Sequence, residues 1–172
     1  MKPQTLNEIF FAIVERKEHP VMLTREASQW VPISSQQFYS DVAGMARALS
    51  QWGLTKGDRL AILSENRYEW AVSDFASLLL GVVVVPIYST LTAEQTGYIL
   101  CDSGARVVVV SSERQLGKVL STREETTVEK LVVMDPVETS DAAQMRRLKL
   151  QPNGAAEKGG ERRHGAAGCD ES

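Results

Sequence analysis

The sequence predicts an α/β fold, a partial parallel sheet of Rossmann-like βαβ units, and three features of residues 57–111 carry that prediction. Three short apolar runs, Leu60 to Leu63, Val82 to Ile87 and Val107 to Val110, are separated by two helix-length segments, and strands alternating with helices build parallel sheets. The runs are apolar at nearly every position, as expected of strands covered on both faces. Glycines stand at the joints: Gly57 before the first run, Gly81 before the second and Gly104 before the third.

In chain order, Thr5 to Glu8 fits a capping box. Leu6, Ile9, Phe10, Ile13 and Val14 then share one face at helical spacing, so a helix is predicted over Leu6 to Lys17, ended by His19-Pro20. Val21 to Arg25 and Trp30 to Ile33 read as a hairpin around Glu26 to Gln29. Ser34 to Gln37 is a second capping box. The helix it opens has Phe38, Val42, Met45, Leu49 and Trp52 as its buried stripe and Gly53 as its left-handed end. After the first core strand, Tyr68 to Leu80 is predicted helical, with Val72, Phe75, Ala76 and Leu79 facing the sheet. Pro86 suits the end of the next strand but not a central ladder. Thr92 to Gln95 caps a helix running to Asp102, and Ser112 to Leu120 forms another with Leu116, Val119 and Leu120 inward. Thr122 to Glu129 reads as loop, Leu131 to Met134 as a short strand and Asp141 to Leu150 as a last helix.

The composition then breaks. Gln151 to Ser172 has no Ile, Leu, Val, Phe, Tyr, Trp or Met and holds five of the 12 glycines. Such a segment buries too little apolar surface to offset its ordering entropy, so a disordered tail is expected. The division is therefore 1–150 as a partial domain and 151–172 as tail.

Several classes are excluded. A net charge of −3 with scattered Lys and Arg gives no basic stripe for nucleic acid. The longest apolar run, Leu78 to Ile87, contains Gly81 and Pro86 and is short of the roughly 20 residues of a membrane span. The N-terminus lacks a secretory leader's apolar core. A soluble, cytoplasmic protein is expected. Cys101 and Cys169 are in no metal or disulfide spacing.

No phosphate-binding G-x-x-x-x-G-K-[ST] loop, G-x-G-x-x-G turn, H-E-x-x-H helix or G-x-S-x-G elbow occurs. His19 and His164 read as solvated histidines, Cys101 beside Ile99 and Leu100 as a buried inert thiol, and Cys169 as an exposed tail thiol. Ser64-Glu65-Asn66-Arg67 is the best local candidate for a site, because it leaves the carboxyl end of a core strand. A turn with a helix cap, Glu65 and Asn66 bonding locally, is the favoured reading of it. Pro86-Ile87-Tyr88-Ser89-Thr90 leaves another strand end, and Tyr88 reads either as packing or as ligand contact.

Taken together, Gly53 through Arg67, Glu69-Trp70, Gly81 through Thr90, Ala93-Glu94-Gln95, Tyr98 through Gly104 and Val107 to Ser111 resemble the opening of the adenylate-forming (AMP-binding) enzymes, in detail the long-chain fatty acyl-CoA synthetases. The resemblance covers Leu6 to Met134. It implies an α/β large domain followed by a small lid. The implied activity uses ATP and Mg²⁺ to turn a fatty acid into an acyl-adenylate, then transfers the acyl group to coenzyme A. The family's Thr/Ser/Gly-rich loop, its Tyr-Gly-x-Thr-Glu stretch, its ribose-binding Asp and its lid lysine have no counterpart here. The resemblance therefore carries over no catalytic, cofactor-binding or metal residue, and no cofactor is expected for these residues alone.

The expectation is a truncated member, inactive by itself, with a shifted reading frame as one origin of the tail. The alternative is a non-catalytic acyl-binding or subunit-interaction domain. A sheet cut in mid-domain would also expose an edge through which the chain self-associates.

Overall fold

The apolar runs do become parallel strands of one sheet, Leu60 to Leu63 and Val107 to Val110 inside it and Val82 to Ile87 at its edge. The structure, a computed structural model, describes residues 5–15, 20–26 and 28–136, and the backbone of 145–147. The elements are α1 (Leu6–Glu15), a hairpin of β1 (Met22–Glu26) and β2 (Gln29–Ile33), α2 (Ser35–Gln51), β3 (Arg59–Leu63), α3 (Tyr68–Leu79), β4 (Val83–Ile87), α4 (Ala93–Ser103), β5 (Val107–Val110), α5 (Glu113–Leu120), a 3-10 turn (Arg123–Glu125), β6 (Lys130–Val133) and β7 (Met145–Arg147). The sheet is parallel throughout, in the order β4-β3-β5-β6-β7.

Period-two alternation divides the strands between two cores. Leu60, Ile62, Val107, Val109 and Val132 face one way and meet Phe10, Phe38, Val42, Leu49, Val72 and Ala76 of α1, α2 and α3. Ala61, Leu63, Val108, Val110, Leu131 and Val133 face the other way, against Leu100 of α4 and Leu116 and Val119 of α5. The result is three layers, helices on both faces of the sheet. β3 and β5 are covered as their apolar runs predict, every core position from Leu60 to Leu63 and from Val107 to Val110 being 0% exposed.

β4 is different because it is the edge. Val83 is 52% exposed. Its amide donates to the Asp58 carbonyl at 2.8 Å, so period two turns Val83 and Val85 toward β3 and leaves Val84 and Pro86 facing outward. Pro86 thus places its missing N–H on the free side of the edge, where proline is tolerated.

The caps follow the sequence. Ser34 Oγ accepts from the Gln37 amide at 3.1 Å, and Thr92 with Gln95 completes a reciprocal capping box. Helices α2 and α3 end alike. Leu54 donates to the Leu49 carbonyl and Gly53 to the Ser50 carbonyl, as Val82 does to Ser77 and Gly81 to Leu78. This is the Schellman pattern, which needs a left-handed residue; Gly53 and Gly81 supply it at φ 80° and 69°.

Four expectations are corrected. In α1 only Phe10 is fully buried; Leu6 and Ile9 are 55% and 36% exposed, because the apolar stripe of the helix runs past the α2–α3 surface beneath it. In α3 Phe75 and Leu79 are half-buried, and beside Val72 and Ala76 the fully buried positions are Ser73 and Ser77. Their hydroxyls bond back to the Glu69 and Ser73 carbonyls at 2.8 Å each, which satisfies them inside the helix. Leu120, at the end of α5, is 38% exposed. Finally, Met145–Arg147 is a strand, not part of a helix: it extends the ladder beside β6, a non-local pairing that local periodicity does not report. The rest of Asp141 to Leu150, His19 and the tail from Gln151 lie outside the described residues. Among the described residues no helix is long and apolar enough to cross a membrane.

Candidate functional site

The strand order fixes where a site belongs. The chain passes from β3 outward to β4, then back across β3 to β5 and on to β6. The direction of winding reverses between β3 and β5, and in open parallel sheets ligands bind at such a reversal, outside the carboxyl ends of the strands. Four segments meet there: Ser64 to Arg67 after β3, Tyr88 to Leu91 after β4, Ser111-Ser112 after β5 and Met134-Asp135 after β6.

Glu65 is the hub. Gln115, on the first turn of α5, points its Nε2 at Glu65 Oε1 (3.4 Å) and donates to the Ser89 carbonyl (3.1 Å). Ser111 Oγ finds no partner at full hydrogen-bond geometry. It nevertheless faces the Glu65 carboxyl closely enough to be the first of the groups that hold that carboxyl below its ordinary range, ahead of the Glu65 amide, Ser89 and Gln115. Hydrogen bonds thus favour the ionised Glu65 carboxylate, which keeps its charge to lower pH than an ordinary glutamate. The ion pairs among the described residues use other carboxylates.

Arg67 clamps the same edge. It grips Glu69 with Nε and Nη2 at 2.8 and 3.1 Å, reaches Asp135 Oδ1 at 2.9 Å and touches the Ser111 carbonyl at 3.5 Å. A single side chain so ties the exits of β3, β5 and β6. Lys118 does the same for β4, its Nζ donating to the Ser89 and Leu91 carbonyls at 2.7 Å each. Ser64 Oγ donates to the Glu65 carbonyl at 2.8 Å.

Ser64 to Arg67 thus sits where the sequence places it, but not as a self-contained turn and cap. Arg67 is the N-cap residue of α3 and makes no side-chain cap bond, and Glu65 bonds across to neighbouring strands. Tyr88 is 80% exposed above the edge, so it does not pack. Cys101 is exposed, contrary to the buried thiol expected. In α4 the inward positions are Thr96, Gly97 and Leu100, and the next residue after Leu100 lies about 100° further round the helix. Gly53, Gly57, Gly81 and Gly104 all have positive φ, a sufficient reason for each. Sequence reading missed Ser111, Gln115, Lys118 and Asp135. The strand-end rule that found Ser64 would have reached Ser111, whereas Gln115 and Lys118 come from a helix and have no such signal.

The assembled groups hold loops together; they do not form a nucleophile–base pair. Among the described residues no cluster of three or more His, Cys, Asp and Glu side chains comes together.

The family model described as "AMP-binding enzyme" matches residues 10–163, past Met134 and past the composition break at Leu150. The rat long-chain-fatty-acid–CoA ligase ACSBG2 is 30% identical over 152 residues, 88% of this chain and 21% of the relative. The long-chain-fatty-acid–CoA ligase FadD15 of Mycobacterium bovis is 39% identical over 84 residues, 49% of this chain and 14% of the relative. A Mycobacterium tuberculosis fatty acyl CoA synthetase structure superposes with a TM-score of 0.66 at 25% identity, over 76% of this chain and 26% of that one. A putative long-chain-fatty-acid CoA ligase from Rhodopseudomonas palustris does so with 0.70 at 20% identity, over 89% and 36%. The chain spans about a fifth of the length of the first relative.

Proposed function

Because the chain belongs to the AMP-binding enzyme family, we propose that it carries the opening part of a long-chain fatty acyl-CoA ligase's large domain and does not catalyse acyl activation by itself. The reaction of the whole protein would join a fatty acid to ATP, with Mg²⁺, as acyl-adenylate and pyrophosphate, then pass the acyl group to coenzyme A. Residues 1–150 are the partial domain in this reading and 151–172 its tail, and the location is cytoplasmic.

One observation carries the proposal: a chain that matches the family through 163 contains no Gly-rich phosphate loop. Adenylation builds negative charge on the phosphates, and donors and a metal must be aimed at it. At the carboxyl edge Arg67 is bonded to Glu69 and Asp135, Lys118 to the Ser89 and Leu91 carbonyls, and Gln115 to Glu65 and the Ser89 carbonyl. No catalytic or cofactor-binding residue is proposed.

The test is direct. Purified chain with ATP, Mg²⁺, palmitate and coenzyme A should release no pyrophosphate above the protein-free rate. Steady release with palmitoyl-CoA formation would overturn the reading.

A second reading, a binding or subunit-interaction module, is favoured by one feature. On the outer face of the hairpin Leu23 pairs with Pro32 and Arg25 with Trp30, and Leu23 and Trp30 are 57% and 65% exposed. Calorimetry with palmitate would detect acyl binding.

A further inference from the structure

We propose that Tyr88 to Leu91, the segment leaving β4, is a strap that opens and closes on its own over the carboxyl edge of the sheet, and that Lys118 is the latch that holds it shut.

The strap is anchored at its ends and held from outside in its middle. The ladder between β3 and β4 stops at the pair Leu63 and Ile87, and β4 is the edge of the sheet. Ile87 and Leu91 pack into the core that faces α4 and α5. Between them Tyr88 is 80% exposed, Thr90 is exposed and Ser89 is half-buried. A backbone bond from the Leu91 amide to the Tyr88 carbonyl, 3.1 Å, closes the turn. Segments that bury so little apolar surface open locally, well below the free energy of global unfolding.

The middle is held from α5. Gln115 and Lys118 are three positions apart and so share one face of that helix. The Gln115 side-chain amide donates to the Ser89 carbonyl at 3.1 Å, and the Lys118 ammonium donates to the same carbonyl at 2.7 Å. Both lone pairs of that oxygen are then filled. Lys118 also donates to the Leu91 carbonyl at 2.7 Å. Two of these three bonds come from Lys118, and they are the short, charge-assisted ones. Its ammonium is in none of the ion pairs among the described residues, so the carbonyls of the strap are what it binds.

Under the closed strap lies Gln115, 3% exposed, with its Oε1 lacking a hydrogen-bond partner. Opening breaks its bond to Ser89 and bares this amide beside the reversal of winding, where open parallel sheets take their ligands. The strap thus governs entry to that crevice from the β4 side, whether or not the chain catalyses anything.

The experiment digests the full chain briefly with chymotrypsin, which cuts after aromatic residues, and reads each cut by mass spectrometry. Tyr88 and Tyr98 are both exposed, 80% and 71%, but Tyr98 lies within α4 and reports on that helix instead of the strap. Where reclosing is fast, the cleavage rate follows the population of the open form. Lys118→Met keeps the apolar stem and removes the ammonium. It should speed the cut after Tyr88 at least ~10-fold and leave the cut after Tyr98 within about 2-fold of the parent. Gln115→Leu, which removes one neutral bond to the strap, should speed the cut after Tyr88 by less. An unchanged cut after Tyr88 in Lys118→Met overturns the proposal. So does an equal rise at both tyrosines, which would make Lys118 a support of the fold at large, or a Gln115→Leu effect as great as that of Lys118→Met.

Discussion

The Tyr68 hydroxyl donates to Asp41 Oδ2 at 2.7 Å, joining the start of α3 to the middle of α2. Burial raises the Asp41 carboxyl above its ordinary range and the bond to Tyr68 partly offsets that. The Tyr68 hydroxyl is itself pushed well above the usual phenol range by burial and by Asp41. Ionising Asp41 therefore opposes folding: its contribution is full at acid pH and is lost as pH rises through the raised folded value. Tyr68→Phe removes the donor that tempers this loss. Urea titrations should show the variant about 1–2 kcal/mol less stable near neutrality, with a smaller gap at about pH 3. Single residues were the least legible in the sequence. Cys101 differs from its expectation because neighbours along a helix do not share a face, and the Asp41–Tyr68 pair has no signal in the sequence because 27 positions separate its members.

At the scale of elements the reading was closer, since capping and period are local. Thr92, Ser34, Gly53 and Gly81 mark helix ends that the structure reproduces within a residue or two. What failed was set by distant partners: Leu6 and Ile9 lie beyond the surface under α1, and β7 is held by β6. Packing of α4 supplies a test. A methyl group on Gly97 would meet Thr122 Cβ at 2.8 Å, and a β-branched residue has few rotamers to escape into. Gly97 thus lets α4 lie against the segment before the 3-10 turn. Gly97→Ala should cost about 1–3 kcal/mol by overpacking, despite alanine's better helix propensity. A variant as stable as the parent in thermal melts would show that this contact yields freely.

For the molecule as a whole, strand–helix alternation was enough to predict a parallel α/β sheet, and the family match and the superpositions agree with it. The strand order was not legible, because periodicity says nothing about which strand lies beside which. That order bears on the expected self-association. β4 is an edge, yet with Val83 and Val85 bonded inward and Pro86 lacking an amide, Val84 supplies the outward donor along the strand. Strand addition there is blunted. Pro86→Val would restore a donor, and sedimentation velocity should then show more dimer than the parent at equal concentration. Unchanged sedimentation would place any association elsewhere.

The central position of β3 also has a consequence in time. Its first neighbour, β4, leaves the ribosome soon after it, but its second, β5, must wait until Val107 to Val110 have been synthesised. During that interval the nascent chain carries a strand that is apolar from Leu60 to Leu63 with one flank unpaired. That stage of synthesis is when a folding chaperone has most to protect.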